Sequence, residues 1–141
     1  MVYQTEELLK EVVSLVDESE NKDCVSLVGK IEHDELEPWY NSADYFISGS
    51  HYERNRIAVC EAMSCGCIPI LTDIPSFRMM TVNGGCGMLY KSGDSEELKR
   101  VLIQALHLNI EEERFKVPEQ FKKELSFGAN SKKINDILQV I

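Results

Sequence analysis

Two periodicities alternate along the chain. Leu8, Leu9, Val12, Val13, Leu15 and Val16 recur at helical spacing. Glu6 and Glu7 precede them, where carboxylates suit the positive end of a helix dipole, and Thr5 is placed to cap that helix. Asn21 to Asp23 break the pattern. Val25 to Val28 is then a short β-rich run closed by Gly29, which predicts a buried strand. His33 to Tyr40 predicts a short helix bringing Leu36, Trp39 and Tyr40 to the core. Tyr45, Phe46 and Ile47 form the next predicted strand, closing on Ser48-Gly49-Ser50.

A helix is expected from about Arg56 to Cys65, stopped by Gly66, a residue suited to the left-handed position after a helix. Ile68 to Leu71 reads as a strand, Pro75 to Met80 as a short helix, and Gly87 to Tyr90 as another strand. Asp94 with Glu97 resembles a capping box, opening a helix through about Leu108 that carries Leu98, Val101, Leu102 and Ala105 on one face. The tail from Glu111 to Ile141 reads as two helices divided near Phe127-Gly128. Strands and helices alternating in this order imply an α/β domain with a Rossmann-like, mainly parallel sheet, flanking helices and right-handed crossovers. In such sheets the ligand site lies beyond the carboxyl ends of the strands. The best such junction runs from Ser48 to Glu61.

The 141 residues suffice for one domain with a real core. Fifteen basic against 24 acidic residues give a net charge of −9, which would repel nucleic acid and anionic membranes. No apolar run of about 20 residues and no basic-then-apolar leader occurs, so neither a transmembrane segment nor a signal peptide is expected, and the setting is read as cytoplasmic. Cys60, Cys65 and Cys67 invite a metal or disulfide reading, but their neighbours are apolar and no His lies at ligand spacing. They are read as buried packing residues.

The chemistry concentrates between Gly49 and Glu61. The first amides of the helix there, about Arg56 to Ala58, have no partner within the helix and suit a diphosphate, with Arg54 and Arg56 adding charge. Glu53 lies in the preceding loop, and Glu61 one turn into the helix on the face of Ile57. Carboxylates are poor phosphate ligands but good acceptors for vicinal sugar hydroxyls. Each Glu alone is better read as a solvated surface charge; only the context favours a site.

Glu53 and Glu61 have Glu-x7-Glu spacing and are followed by Ala62-Met63-Ser64-Cys65-Gly66-Cys67-Ile68-Pro69-Ile70. Upstream stand Val28-Gly29 and Ser42-Ala43-Asp44-Tyr45-Phe46. Downstream stand Asp73-Ile74-Pro75-Ser76-Phe77-Arg78, Gly87-Met88-Leu89, Gly93-Asp94 and, before the last helix, Phe127. This order resembles the glycosyltransferases group 1 family, retaining enzymes of two-Rossmann (GT-B) architecture. The resemblance implies that the chain is a single, truncated nucleotide-sugar donor-binding domain over residues 1–141, lacking the N-terminal acceptor-binding domain and inactive alone. It further implies a UDP-, GDP- or ADP-sugar donor, transfer to an acceptor hydroxyl in glycan or polysaccharide biosynthesis, no cofactor and no obligatory metal.

Carried over position by position, Glu53 would orient the transferred sugar as the catalytic-site carboxylate, and Glu61 would bind the ribose hydroxyls. Ser50, Arg54, Asn55 and the amides of Arg56, Ile57 and Ala58 would surround the sugar and diphosphate, with Gly29, Lys30 and Ile31 lining the base. The family's usual Gly-aromatic-Gly after the first Glu is Arg54-Asn55-Arg56 here, which narrows the freedom of the loop. His51 is read as a site-wall or surface group, and His33 and His107 as structural. Trp39 is read as a core anchor and Asp44 as a local hydrogen-bonding residue at the start of its strand, while Lys30 is equally a base contact or a solvated lysine. The rival readings are a non-catalytic nucleotide-sugar-binding module and a flavodoxin-like or receiver-like regulatory domain. An uncovered sheet edge would favour a homodimer.

Overall fold

The computed structural model describes residues 6–53 and 56–139. They divide into a unit ending at Leu36 and a unit beginning at Glu37. In the first, helix α1 (Glu6–Asp17) carries Glu6 and Glu7 in its first turn as expected, while the Thr5 cap lies outside the described residues. A 3-10 turn, Lys22–Cys24, follows.

The predicted strand at Val25 to Val28 does not form: among the described residues these pair with no strand, and Val25, Leu27 and Val28 are 45%, 42% and 47% exposed. β-branched residues favour extended backbone, but a strand exists only through its ladder partner. A second 3-10 turn, His33–Glu35, leads into α2 (Leu36–Ser42). Trp39, expected as a core anchor, is 48% exposed; its neighbour Tyr40 turns inward and meets the Phe46 ring edge-on at 6.1 Å.

The second unit is a parallel sheet in the order β1-β2-β3, with β1 Tyr45–Ser48, β2 Ile68–Thr72 and β3 Met88–Tyr90. Tyr45 pairs with Ile68 at one end of the first ladder, and Thr72 with Tyr90 at one end of the second. β2 is central and buried at all five positions, as a strand covered on both faces must be. On one face Leu71 packs with Val59, Met63, Phe77, Met80, Cys86 and Val117. These come from α3 (Ile57–Ser64), α4 (Pro75–Met80), the segment before β3 and α6 (Ile110–Gln120). On the other face Ile70 meets Val101 and Ala105 of α5 (Ser95–Ala105).

Local signals set most boundaries. Gly66 ends the α3 segment at φ +86, and Pro75 opens α4 at its first turn. The Asp94 carboxylate caps α5 by accepting the Glu97 N–H at 2.9 Å, but the box is only half made: Glu97 accepts instead from the Lys91 N–H at 2.8 Å. The tail divides one residue before the predicted point. After a single π-helical turn, Phe121–Leu125, the Ser126 side chain caps α7 (Phe127–Leu138), whose first residue Phe127 is 96% exposed.

All five cysteines are free. Cys67 and Cys86 are buried, Cys60 and Cys65 half-buried, and Cys24, outside the predicted cluster, exposed. Burial pushes the Cys86 thiol up from its ordinary 9.0 to about 11. The folded chain therefore holds this proton after the unfolded chain has released it. The resulting stability is complete below the unfolded value and disappears as pH rises from 9.0 to about 11. Urea unfolding should show an alkaline loss of about 2 kcal/mol that is missing from the pH profile of Cys86→Ala. Parallel profiles for the two proteins would refute it.

Candidate functional site

The carboxyl ends of all three strands converge on the loop between β1 and α3. Ser48, the last residue of β1, lends its carbonyl to the Tyr90 hydroxyl at the end of β3, at 3.1 Å. The Thr72 hydroxyl, at the end of β2, donates to the Ser50 carbonyl. Beyond β3, the Ser92 hydroxyl lies 2.6 Å from His51 Nδ1. The loop is thus tied at Ser48, Ser50 and His51 to strand ends that are themselves fixed by the ladders. His51 is an exposed surface residue held by this contact.

Within the loop, Ser48 Oγ and Ser50 Oγ are 3.2 Å apart, and Ser50 Oγ donates to Glu53 Oε2 at 3.3 Å. Glu53 is half-buried. Arg54 and Asn55 lie outside the described residues. Arg56, half-buried, occupies the cap position of α3 rather than its first helical residue: the helix begins at Ile57. Arg56 provides no side-chain capping bond, and the first turn of α3 contains no acidic residue. The amides of Ile57, Ala58 and Val59 therefore present the positive end of the helix without a side-chain acceptor at the cap.

Glu61 follows one turn later, half-buried. Burial raises the Tyr40 hydroxyl above its ordinary pKa, and the negative charge of the neighbouring Glu61 carboxylate raises it further. Helix geometry alone places Glu61 above Ile57; its neighbourhood with Tyr40 of α2 comes from tertiary structure.

Of the residues expected to surround a donor, Ser50, Glu53, Arg56, Ile57, Ala58 and Glu61 share this loop and helix. Gly29, Lys30 and Ile31 belong to the unit ending at Leu36. There Gly29 has φ +77, Lys30 Nζ pairs with Glu32 at 2.5 Å, and Ile31 is half-buried. Asp44 departs from expectation. Its carboxylate does not bond locally but meets Arg114 Nη1 of α6 at 2.8 Å, and it is its backbone carbonyl that receives the Ile68 N–H at the start of β2. His107, read as structural, is exposed just beyond α5.

Sequence reasoning missed Thr72, Tyr90 and Ser92 as loop anchors. The signal available was that polar or hydroxyl-bearing residues stand at the carboxyl end of each strand, where side chains no longer face the core. A further anchor flanks the site: Asp73, just after β2, takes a two-pronged ion pair from Arg78, with Nη2 2.7 Å from Oδ2, and Arg78's hydrogen bond holds the Asp73 carboxyl below the usual range.

Residues 5–123 match the family model described as "Glycosyl transferases group 1". A GDP-mannose:cellobiosyl-diphosphopolyprenol alpha-mannosyltransferase of Xanthomonas oryzae pv. oryzae is 35% identical over 88 residues, covering 62% of this chain and 23% of that protein. The protein of the same name from Xanthomonas campestris is 39% identical over 66 residues, or 47% of this chain and 17% of that one. The chain thus spans about a quarter or less of these relatives. Among solved structures, the sucrose-phosphate synthase of Thermosynechococcus elongatus superposes with a TM-score of 0.77 at 20% identity. That match covers 94% of this chain and 34% of that one, and it shows a shared fold.

Proposed function

This chain belongs to the glycosyl transferases group 1 family, and we propose that it is the part of such an enzyme that holds the nucleotide-sugar donor. The observation that carries the reading is the pairing of Glu53 and Glu61 across the side-chain-uncapped start of α3, at the carboxyl ends of all three strands. The donor's diphosphate lies against the Ile57 and Ala58 amides, with Arg56 beside it. Glu61 accepts hydrogen bonds from the ribose diol, and Glu53 orients the transferred sugar. The helix amides and Arg56 stabilise the negative charge that gathers on the leaving diphosphate, so the site has no obligatory need of a metal.

Both Xanthomonas relatives carry GDP-mannose in their names, which supports a GDP-sugar as the first donor to test. Transfer runs to an acceptor hydroxyl with retention at the anomeric carbon, in glycan or polysaccharide assembly. The acceptor is bound by a second domain, and this chain alone binds donor without transferring it.

Protein-observed NMR titration with GDP, GDP-mannose, UDP and ADP tests the reading. GDP should shift the Ile57 and Ala58 amides with roughly millimolar affinity. Glu61→Ala should weaken binding about tenfold or more, the loss of charge-assisted hydrogen bonds to two hydroxyls. No shift from any of the nucleotides at several times that concentration would defeat the proposal.

A further inference from the structure

His51 stands at the carboxyl ends of the strands and is held from two sides. The carbonyl of Ser50, just before it, accepts the Thr72 hydroxyl at the end of β2. Its own Nδ1 lies 2.6 Å from the hydroxyl of Ser92, just beyond β3. The ring also rests close to Gly93, where a Cβ would come within 3.5 Å of His51 Cε1. His51 is exposed and Ser92 half-buried, so water competes for their hydrogen bond and it contributes little to the fold. What it does is fix the ring's orientation and tautomer, because the partner of one imidazole nitrogen decides what the other offers. That other nitrogen, Nε2, has no partner among the described residues.

We infer that His51 is a specificity residue of the donor site: Nε2 hydrogen-bonds a hydroxyl of the transferred sugar, and Ser92 is the positioning residue that holds the ring for it. This rests on the donor-site reading above and names the part of the donor that the ring meets. The order of groups along loop and helix supports it. That reading gives the sugar to Glu53, the diphosphate to the Ile57 and Ala58 amides and the ribose to Glu61, which is the order of the groups in the donor itself. His51 precedes Glu53 and so lies at the sugar end of the series. The chemistry agrees. A neutral imidazole has one donor and one acceptor nitrogen, and a sugar hydroxyl can answer either. The contact therefore forms whichever way the Ser92 hydroxyl is turned, whereas a phosphate oxygen, which only accepts, suits one tautomer alone.

The ratio of affinities of the full chain for GDP-mannose and for GDP, measured by NMR titration, tests this. His51→Ala should lower the ratio roughly three- to tenfold, by weakening GDP-mannose alone. Ser92→Ala should lower it in the same sense, and Ser92→Thr, which keeps the hydroxyl, should hold it at the parent value. In a His51→Ala background Ser92→Ala should add nothing. If His51→Ala weakens both nucleotides equally, the ring serves the diphosphate and the sugar contact is refuted. If it weakens neither, His51 has no part in binding. In both cases the donor site stands. If the parent binds neither nucleotide, the donor-site reading falls and this inference with it. A ligand-free readout isolates Ser92: the nitrogen-15 shifts of the two His51 ring nitrogens, recorded at alkaline pH, should lie further apart in the parent than in Ser92→Ala. Equal separations overturn the positioning role of Ser92 whatever the nucleotides do.

Discussion

Gly87→Ala should destabilise the chain by about 4 kcal/mol or more, enough to leave a domain of ordinary stability largely unfolded. Gly87 has φ +88, in the left-handed region, where a side chain alone adds about 1 to 2 kcal/mol. The larger part is steric. A Cβ at this position would lie 2.3 Å from the Pro69 carbonyl oxygen and 2.5 Å from Pro69 Cγ. Neither neighbour can retreat: Pro69 is in the central strand, paired with Phe46 of β1, and the β3 ladder begins one residue later at Ile70 and Met88. The chain must therefore cross Pro69 at close range to enter β3, and only glycine permits that approach.

Gly84→Ala is the control. Gly84 has φ +84, but its Cβ would meet nothing closer than Leu89 Cγ at 3.8 Å, so a loss of about 1 to 2 kcal/mol is expected. Urea unfolding of both variants separates the two terms. Equal losses would mean that β3 does not pass Pro69 as described.

Phe77→Ala should remove about 3 to 5 kcal/mol. The ring is 0% exposed and is the largest fully buried side chain among the described residues. It belongs to the cluster that includes Val59 and Met63 of α3, Leu71 of β2 and Met80 of α4, so its loss opens a cavity directly beneath the helix that carries Glu61. Relaxation is limited because β2 is anchored on both sides. Phe77→Leu, which keeps most of the volume, should lose about 1.5 kcal/mol or less. The two midpoints in urea check this directly. A Phe77→Ala midpoint close to that of Phe77→Leu would show that α4 collapses into the space, and would remove the rigidity expected of α3.

Much of the candidate site was legible before any coordinates. The Glu-x7-Glu spacing and its flanking residues carried the family resemblance, and the family model matches over residues 5–123. Glu61 stands above Ile57 because a helix repeats every 3.6 residues, and Gly66 and Pro75 mark the ends of elements by their own backbone preferences. What was not legible is who holds these residues. Ser92 meets His51, Thr72 reaches Ser50, and Arg114 reaches Asp44 across distances in sequence that no local rule spans.

The failures have the same origin. Val25 to Val28 have the composition of a strand, yet composition supplies no ladder partner. Trp39 and Tyr40 are adjacent on one short helix, and only the position of Phe46 decides that the tyrosine turns inward while the tryptophan stays half in water. Asp44 has a short carboxylate suited to local bonding, but Arg114, 70 residues on, competes for it with a full charge. By itself the sequence determined the order and type of the elements from β1 onward, their caps and the spacing of the two glutamates. These depend on backbone preference and periodicity within a few residues. Only the tertiary structure decided the register of the three strands, the close passage of Gly87 over Pro69 and the partner of Asp44. Those depend on which distant segments are brought to the same place.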